Sequence, residues 1–495
     1  MQNDPMPLSP ASDPITPRSD GNPSARSDAR RPFLERLTLL HSGGFVIFAA
    51  WAFGGNTESA RVALSCWGSL GVLITISAAW RNVGTAAARV RLLRWLWPLA
   101  LLDLVVVASL FNPSYRELID GLNTLYIQDQ SLPHWSFLPS TARPDLSLNA
   151  LWFFNAAYLS CFNLTLVVYR RRAIRALLLV VASNAVVLAI FGTLQKLMGA
   201  KALYFGAVKT PQPYFFSSFI YHNHWGAFTI LMTAISLGLI FHYSRRSAAG
   251  FWRSPASLGL IGIALLAVTI PLSTSRSSSV LEALLLGGAF SAWVTRHLRE
   301  RRLRGRAVAL PLVAALVCVA ALGVFTYELA SPTIKLRVEN TREQLAEMRT
   351  RGEIMPRQIL YRDTWAMARE KLWFGWGMAS YPTAFYHRNT QHESSDGPVR
   401  LFHDAHSDWL QSVSEVGLIG TALLGLCAVW PLFQVRRKFR IGPISQFLFA
   451  GCGLIVVYAL LEFPFGNRAV VIAFWLCFFC AVRYGELDAK SERRG

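Results

Sequence analysis

Two histidines three residues apart, His403 and His406, flank Asp404 and are followed by Asp408, Gln411 and Glu415 as an apolar run begins. On a helix starting near 405, positions 408, 411 and 415 share a face, because side chains three and four apart are neighbours. His406 then stands where a polar loop meets an apolar segment. Three chemistries suit an imidazole there. It can be interfacial polarity, or a metal ligand with His403, a carboxylate and the upstream His387 and His392. It can also be a general base, since an unperturbed imidazole pKa of about 6.5 matches proton abstraction near neutrality. No pair has the spacing of a zinc-binding helix, so no metal or other cofactor is expected and the base is the leading reading.

Two further stretches carry polar groups at the edge of apolar runs. In "STSRSSSV" (273–280), Arg276 is bracketed by hydroxyls. A cation there is costly unless it faces water, protein or an anion. It is either a snorkelling arginine at a tight turn or an anion site in which a guanidinium holds a phosphate. In "FIYHNHWGAF" (219–228), His222, Asn223 and His224 open another apolar run, either as interfacial caps or as part of a polar pocket.

The elements that must position these residues are membrane spans. Of 495 residues, 53% are hydrophobic and only 16% charged, and runs such as "LSCWGSLGVLITISAAW" recur along the chain. About 20 mostly apolar residues cross the hydrocarbon core as a helix, and lipid offers no partner to an open backbone. The runs are continuous and do not alternate, which favours helices over a barrel. The expected fold is therefore all-α, a polytopic bundle of about twelve transmembrane helices. They are placed at 38–54, 62–80, 95–112, 147–169, 176–195, 223–243, 256–272, 278–295, 307–327, 410–433, 444–462 and 469–482.

The net charge of +20 suggests nucleic acid until its distribution is considered. Five loops, at 81–94, 170–175, 245–253, 296–306 and 436–440, hold 21 Lys or Arg against a single acid, Glu300. In a twelve-span layout they all fall on one side. That is the positive-inside pattern, so both termini are expected in the cytoplasm and no nucleic acid is expected as a partner. Residues 1–36 read as a disordered tail, 37–327 as helices one to nine, 328–409 as an extracytoplasmic loop domain, 410–483 as helices ten to twelve and 484–495 as a second tail. The loop domain carries 11 basic and 11 acidic residues. Amphipathic helices are expected at 334–350 and 357–372, the second with Ile359, Trp365, Ala366, Ala368 and Leu372 on its apolar face. Residues 113–146 read as an aromatic interfacial loop. Most of the seven cysteines sit within apolar spans, so neither disulfides nor a zinc ribbon is suggested.

"AHSDWLQSVSEVGLIG" (405–420) resembles the His-Asn-x-x-Leu-Gln…Glu-x-Gly-x-x-Gly signature of the O-antigen ligase and polymerase superfamily. "RDTWAMAREKLWFGWGMASYPTAF" (362–385) is similar to that family's Arg…Trp…Phe-Gly-x-Gly…Phe stretch, "STSRSSSV" to its Ser-Arg turn, and "YHNHWGAF" to its Asn-rich span start. The likeness covers roughly 200–425. Two positions depart from it: His222 stands where members often carry Arg, and Ser407 where they carry Asn.

The resemblance implies a GT-C-type glycosyltransferase of the bacterial inner membrane, with its active site facing the periplasm. Its donor would be an undecaprenyl-diphosphate-linked glycan and its acceptor a hydroxyl of lipid A-core, a growing polysaccharide or a protein. His406 would be the base. Arg276, with His222, Asn223 and His224, would bind the donor diphosphate, and His403, Asp404, Asp408, Gln411, Glu415 and Arg362 would support. Asp404, Asp408 or Glu415 would orient the imidazole, and Arg362, Arg400 or Arg468 could add a second positive contact. A transporter or flippase is the rival reading for a bundle of this kind.

Overall fold

A computed structural model describes residues 23–80, 85–120, 123–128, 134–210, 214–244, 255–305, 312–328, 356–390 and 401–492, with isolated positions between. The protein is mostly helical, as the continuous apolar runs require. In chain order the helices are α1 (Pro23–Trp51), α2 (Glu58–Trp80), α3 (Thr85–Trp95), α4 (Trp97–Leu110), α5 (Pro144–Val167), α6 (Arg171–Leu197), α7 (His222–Ser244), α8 (Pro255–Leu272) and α9 (Arg276–Leu303). They continue with α10 (Leu312–Glu328), α11 (Pro356–Glu370), α12 (Tyr381–Tyr386), α13 (Asp408–Val435), α14 (Pro443–Tyr458) and α15 (Arg468–Glu492).

Each of the twelve expected spans falls on an apolar helix, but the helices are not equal. Among the described residues eight are long and apolar enough to cross a membrane, or nine if α3 and α4, bent by 54°, form one broken span. Pro98 at the start of α4 accounts for the bend, since proline cannot continue the hydrogen-bond ladder of the preceding turn. The expected spans at 256–272, 307–327 and 444–462 correspond to shorter apolar helices. The expected last span was too short: α15 runs on to Glu492, with Tyr484 and Glu486 buried, so residues 484–492 are not a tail. The first boundary also moves, because α1 already contains the buried Leu34 and Glu35. Ion pairs hold these ends in the bundle. Glu35 receives Arg170, Glu486 receives Arg91 and Arg483, and Asp488 receives Arg171.

α7 and α15 lie at the centre, and α14 packs on both. Small residues allow the close approach: a Cβ on Gly451 would stand 2.6 Å from that of Ala234. One end of the bundle carries a second, smaller core of Tyr115, Ala142, Leu360, Met367, Trp376, Tyr381, Ala384, Phe385 and Ala405. This cap is made from the described parts of two segments, 113–120, 123–128 and 134–143 of the first and 356–390 and 401–407 of the second, and not from the long loop alone. The first segment contains an antiparallel hairpin, β1 (Arg116–Asp120) with β2 (Asn123–Ile127), so the fold is not purely helical. The described basic segments gather at the other end, where Arg91 reaches the carbonyl of Thr165 and Arg440 N–H meets Gly485.

α11 forms where 357–372 predicted a helix, but its inward face is rotated. Leu360, Asp363, Thr364, Met367 and Ala368 are buried, while Trp365 and Ala366 are exposed, because the cap core is set by Trp376 and Tyr381. The helix expected at 334–350 lies outside the described residues.

The two cap segments are joined at Lys371, whose ammonium meets Ser140 Oγ at 2.6 Å and His134 Nε2 at 3.0 Å, above the ring of Trp376. Burial, aided by Arg388, lowers its pKa from 10.5 to about 8. Between those values the native cap has released a proton that the unfolded chain still binds, so stability should rise as pH rises from about 8 to about 10.5. Thermal unfolding followed by tryptophan fluorescence across that range should show the slope, and Lys371→Met should flatten it.

Candidate active site

His406 occupies a strained turn. Its φ is +52°, in the left-handed region that costs an L-residue about 1–2 kcal/mol, and such strain tends to accumulate at functional positions. The next residue relieves the chain: Ser407 is the N-cap of α13 and accepts from Leu410 N–H, so the serine in place of asparagine serves a helix start. The His406 carbonyl accepts from the Tyr361 hydroxyl at 2.9 Å, and the ring stands edge-on to Phe463 with centroids 4.8 Å apart. Its Nδ1 lies 3.6 Å from Oε2 of Glu462, a buried carboxylate in the turn after α14.

Glu462 accepts from Arg357 Nη2 at 2.5 Å through its other oxygen, and its carbonyl accepts from Asp408 N–H at 3.2 Å. Arg357 and Tyr361 are four apart on α11, on one face, so this cap helix holds both the imidazole's loop and its carboxylate. Burial alone would raise the Glu462 carboxyl. The His406 imidazole and Arg357 guanidinium outweigh it and hold the group below the ordinary carboxylate range.

Two of the three acids expected to orient His406, Asp408 and Glu415, do other things. Asp408 Oδ2 accepts from Phe465 N–H at 2.8 Å. Glu415 accepts from Ala379 N–H at 2.8 Å, Tyr381 N–H at 3.3 Å and Gln411 Nε2 at 3.1 Å, and Gln411 Oε1 accepts from Ala405 N–H at 3.0 Å. Gln411 and Glu415 therefore tie the 405 loop and the 379–381 turn to α13. Asp404 feels His406, His403 and Arg61, while His403 is exposed. Arg362 is also exposed and donates to Asp363 and Thr390. The carboxylate facing the ring is Glu462, which sequence reasoning missed. Its signal was available: an acid closing the apolar run "LIVVYALLEF" is costly at a membrane edge unless it is partnered.

The Phe-Gly-x-Gly stretch has a backbone role. α13 breaks at Gly417 (φ +67°, ψ −174°), and strand-like contacts enter the gap. Trp376 N–H donates to Ser414 O, Gly377 N–H to Glu415 O, Leu418 N–H to Leu372 O and Ile419 N–H to Trp373 O. Gly375, Gly377 and Gly417 all have positive φ; a Cβ on Gly375 would stand 2.3 Å from Glu415 and one on Gly417 2.2 Å from Trp373, across the break, while one on Gly377 would stand 2.1 Å from Thr141 Oγ1. Only glycine suits such a crossing.

The other two motifs meet this one at the same end. α7 starts at His222, whose Nδ1 lies 3.1 Å from Tyr214 O. Asn223 donates to the Tyr221 hydroxyl, and His224 Nε2 lies 3.2 Å from Phe463 O with Nδ1 beside Asn56. Gly226 lets α7 approach α9, since a Cβ there would be 2.2 Å from Ser278 Oγ. Arg276 is the first residue of α9 with an exposed side chain, behind a turn in which Thr274 has φ +69°. Ser275 donates to Ser278 at 2.8 Å, and Ser278 to the Tyr458 hydroxyl at 3.0 Å. Glu462 follows one turn later, its N–H on Tyr458 O. Tyr458 thus touches the Arg276 turn through its hydroxyl and the Glu462 turn through its carbonyl.

No group of three or more His, Cys, Asp or Glu is assembled for a metal among the described residues. His387 Nε2 faces Tyr126 O, and His392 and Arg400 lie outside the described residues.

Fold and site together define a multi-pass helical membrane protein with a histidine–carboxylate pair and an arginine turn under a polar cap. The family model described as O-antigen ligase matches residues 261–425, so that a third of the chain is similar to that family. The match takes in Arg276, α11, His406 and Glu415 and leaves the 219–228 motif and Glu462 outside it. No curated protein matches the chain. The family implies transferase activity in polysaccharide assembly.

Proposed function

We propose that the protein is an inverting, metal-independent glycosyltransferase of the bacterial inner membrane. It moves a glycan from an undecaprenyl-diphosphate carrier to an acceptor hydroxyl on lipid A-core, polysaccharide or protein. The observation that carries this reading is His406 against Glu462, with Arg357 on the far side of the carboxylate. If Nδ1 carries the ring proton toward Glu462, Nε2 keeps a lone pair for the acceptor, as in other base–orienter pairs. The acceptor oxygen attacks the anomeric carbon while its proton passes to Nε2. The bond from that carbon to the diphosphate oxygen breaks, and the diphosphate leaves with the electron pair. Charge grows on the leaving oxygen, and Arg276 is the cation offered to it.

The basic end of the bundle, opposite the cap, supports a cytoplasmic orientation for that end and a periplasmic one for the site. No nucleotide sugar reaches that side, so a lipid diphosphate that brings its own leaving group suits the chemistry. The polar residues sit under the cap at the bundle's end, which favours transfer over transport.

The test is reconstitution with lipid-diphosphate glycan and candidate acceptors, read by mass spectrometry with and without chelator. Acceptor-linked glycan formed equally in both is expected. Absence of product with every acceptor, or dependence on a divalent metal, would reject the reading.

Glu462→Gln keeps the shape and removes the charge, and should lower turnover by about 10- to 100-fold, with carrier binding little changed. The pair's contribution is complete above the usual carboxylate pKa and is lost as pH falls through the lower folded value. In the native protein, acid loss attributable to Glu462 should therefore begin only below about pH 4.5.

A further inference from the structure

Arg468 opens α15, its guanidinium 4.7 Å above the ring of Phe153. Its Nε is buried and has no hydrogen-bond partner, and among the described residues no carboxylate pairs with it. The α1–α2 turn packs against it: a Cβ on Gly55 would be 2.7 Å from Arg468 Cβ and 2.7 Å from Leu64 on α2. Arg61, one turn into α2, is close enough to repel Arg468 and also to attract Asp404, two residues before His406. Asn56, in the same turn, contacts His224. Folding has brought two guanidinium groups within reach of each other, with an acid, Asp404, acting on Arg61 alone. Such a like-charge pair is unfavourable in the empty protein and becomes favourable when an anion lies between its members.

The chain also lacks a cation where its motif resemblance leads one to expect it. His222 takes the place of arginine at the start of α7, with its Nδ1 at Tyr214 O. We infer that Arg61 and Arg468 form a second oxyanion-binding locus, on the α2/α15 flank of the site and separate from Arg276. The locus takes a phosphate-type group, from the carrier's diphosphate or from a phosphorylated acceptor. This rests on the proposed transfer reading for which ligand arrives, while the locus itself is tested by binding alone.

The experiment uses the full chain in lipid nanodiscs. Undecaprenyl diphosphate, undecaprenol and a phosphorylated core glycolipid are titrated against the native protein, Arg61→Gln, Arg468→Gln and Arg468→Lys. Each glutamine variant should weaken binding of one phosphorylated probe by about 10- to 100-fold, as expected for a charged hydrogen bond. Undecaprenol binding should not change, and Arg468→Lys should recover part of the loss. A loss confined to undecaprenyl diphosphate assigns the locus to the donor, and one confined to the glycolipid assigns it to the acceptor. Unchanged binding of both phosphorylated probes in Arg61→Gln, whose side chain is exposed and tolerant of replacement, overturns the inference even if Arg468→Gln fails to fold. Because no turnover is needed, transfer that persists in His406→Ala would refute the proposed base without touching this result.

Discussion

Alanine in place of His406 is expected to lower transfer by about 100- to 10,000-fold, the usual range for loss of a placed general base. Folding and carrier binding should survive. The imidazole is only partly buried, and the loop is held through groups the variant retains: the His406 carbonyl on Tyr361, the Ser407 cap and Gln411 on Ala405. Alanine at φ +52° carries much the same left-handed backbone cost that His406 already bears, so the turn should persist. The measurement is single-turnover transfer with a purified lipid-linked glycan, beside a thermal melt and a carrier-binding isotherm. Near-native transfer would remove His406 from the mechanism. Loss of binding in step with transfer would make it a donor ligand instead. His406→Ala and Glu462→Gln should also combine non-additively, since the carboxylate is proposed to act through the ring it faces.

The second large effect concerns architecture. Gly417→Ala should destabilise the protein by about 2–6 kcal/mol, combining the strain of a conformation nearly exclusive to glycine with overpacking at the crossing. The added Cβ would stand 2.2 Å from the carbonyl of Trp373, a backbone atom that cannot swing aside. Whole-domain stabilities are only about 5–15 kcal/mol, so the yield of folded, monodisperse protein in detergent should fall sharply. Gly425→Ala is the control. It lies two turns further along α13 with nothing within 4 Å of its Cβ, and should behave as the native chain. Equal behaviour of the two variants would mean that the 372–377 segment does not dock in the break.

Residue types alone made much of this legible. Long apolar runs located helices because the hydrocarbon core leaves a backbone few alternatives. The three polar motifs could be picked out because a charge or imidazole at the end of such a run is costly without a purpose. The individual roles were less visible. Asp404, Asp408 and Glu415 were the sequence neighbours of His406, yet the carboxylate that faces its ring arrives from 56 positions downstream in α14's exit turn. Glu415 carries backbone N–H groups of a turn that no helical periodicity could bring near it. The 113–146 stretch read as an aromatic interfacial loop with no chemistry of its own, because its tie to the cap, Lys371 on His134 and Ser140, spans more than 230 residues.

Sequence determined that the chain is an α-helical membrane protein, which residues sit at its polar edges, and that a histidine among them could move a proton. These follow from composition and short spacing, which act through local backbone satisfaction and desolvation. Tertiary structure decided which carboxylate meets that histidine, why glycines face each other across one crossing, and how two arginines come to share a corner. Those depend on contacts between segments far apart in the chain, and they exist only once the helices have packed.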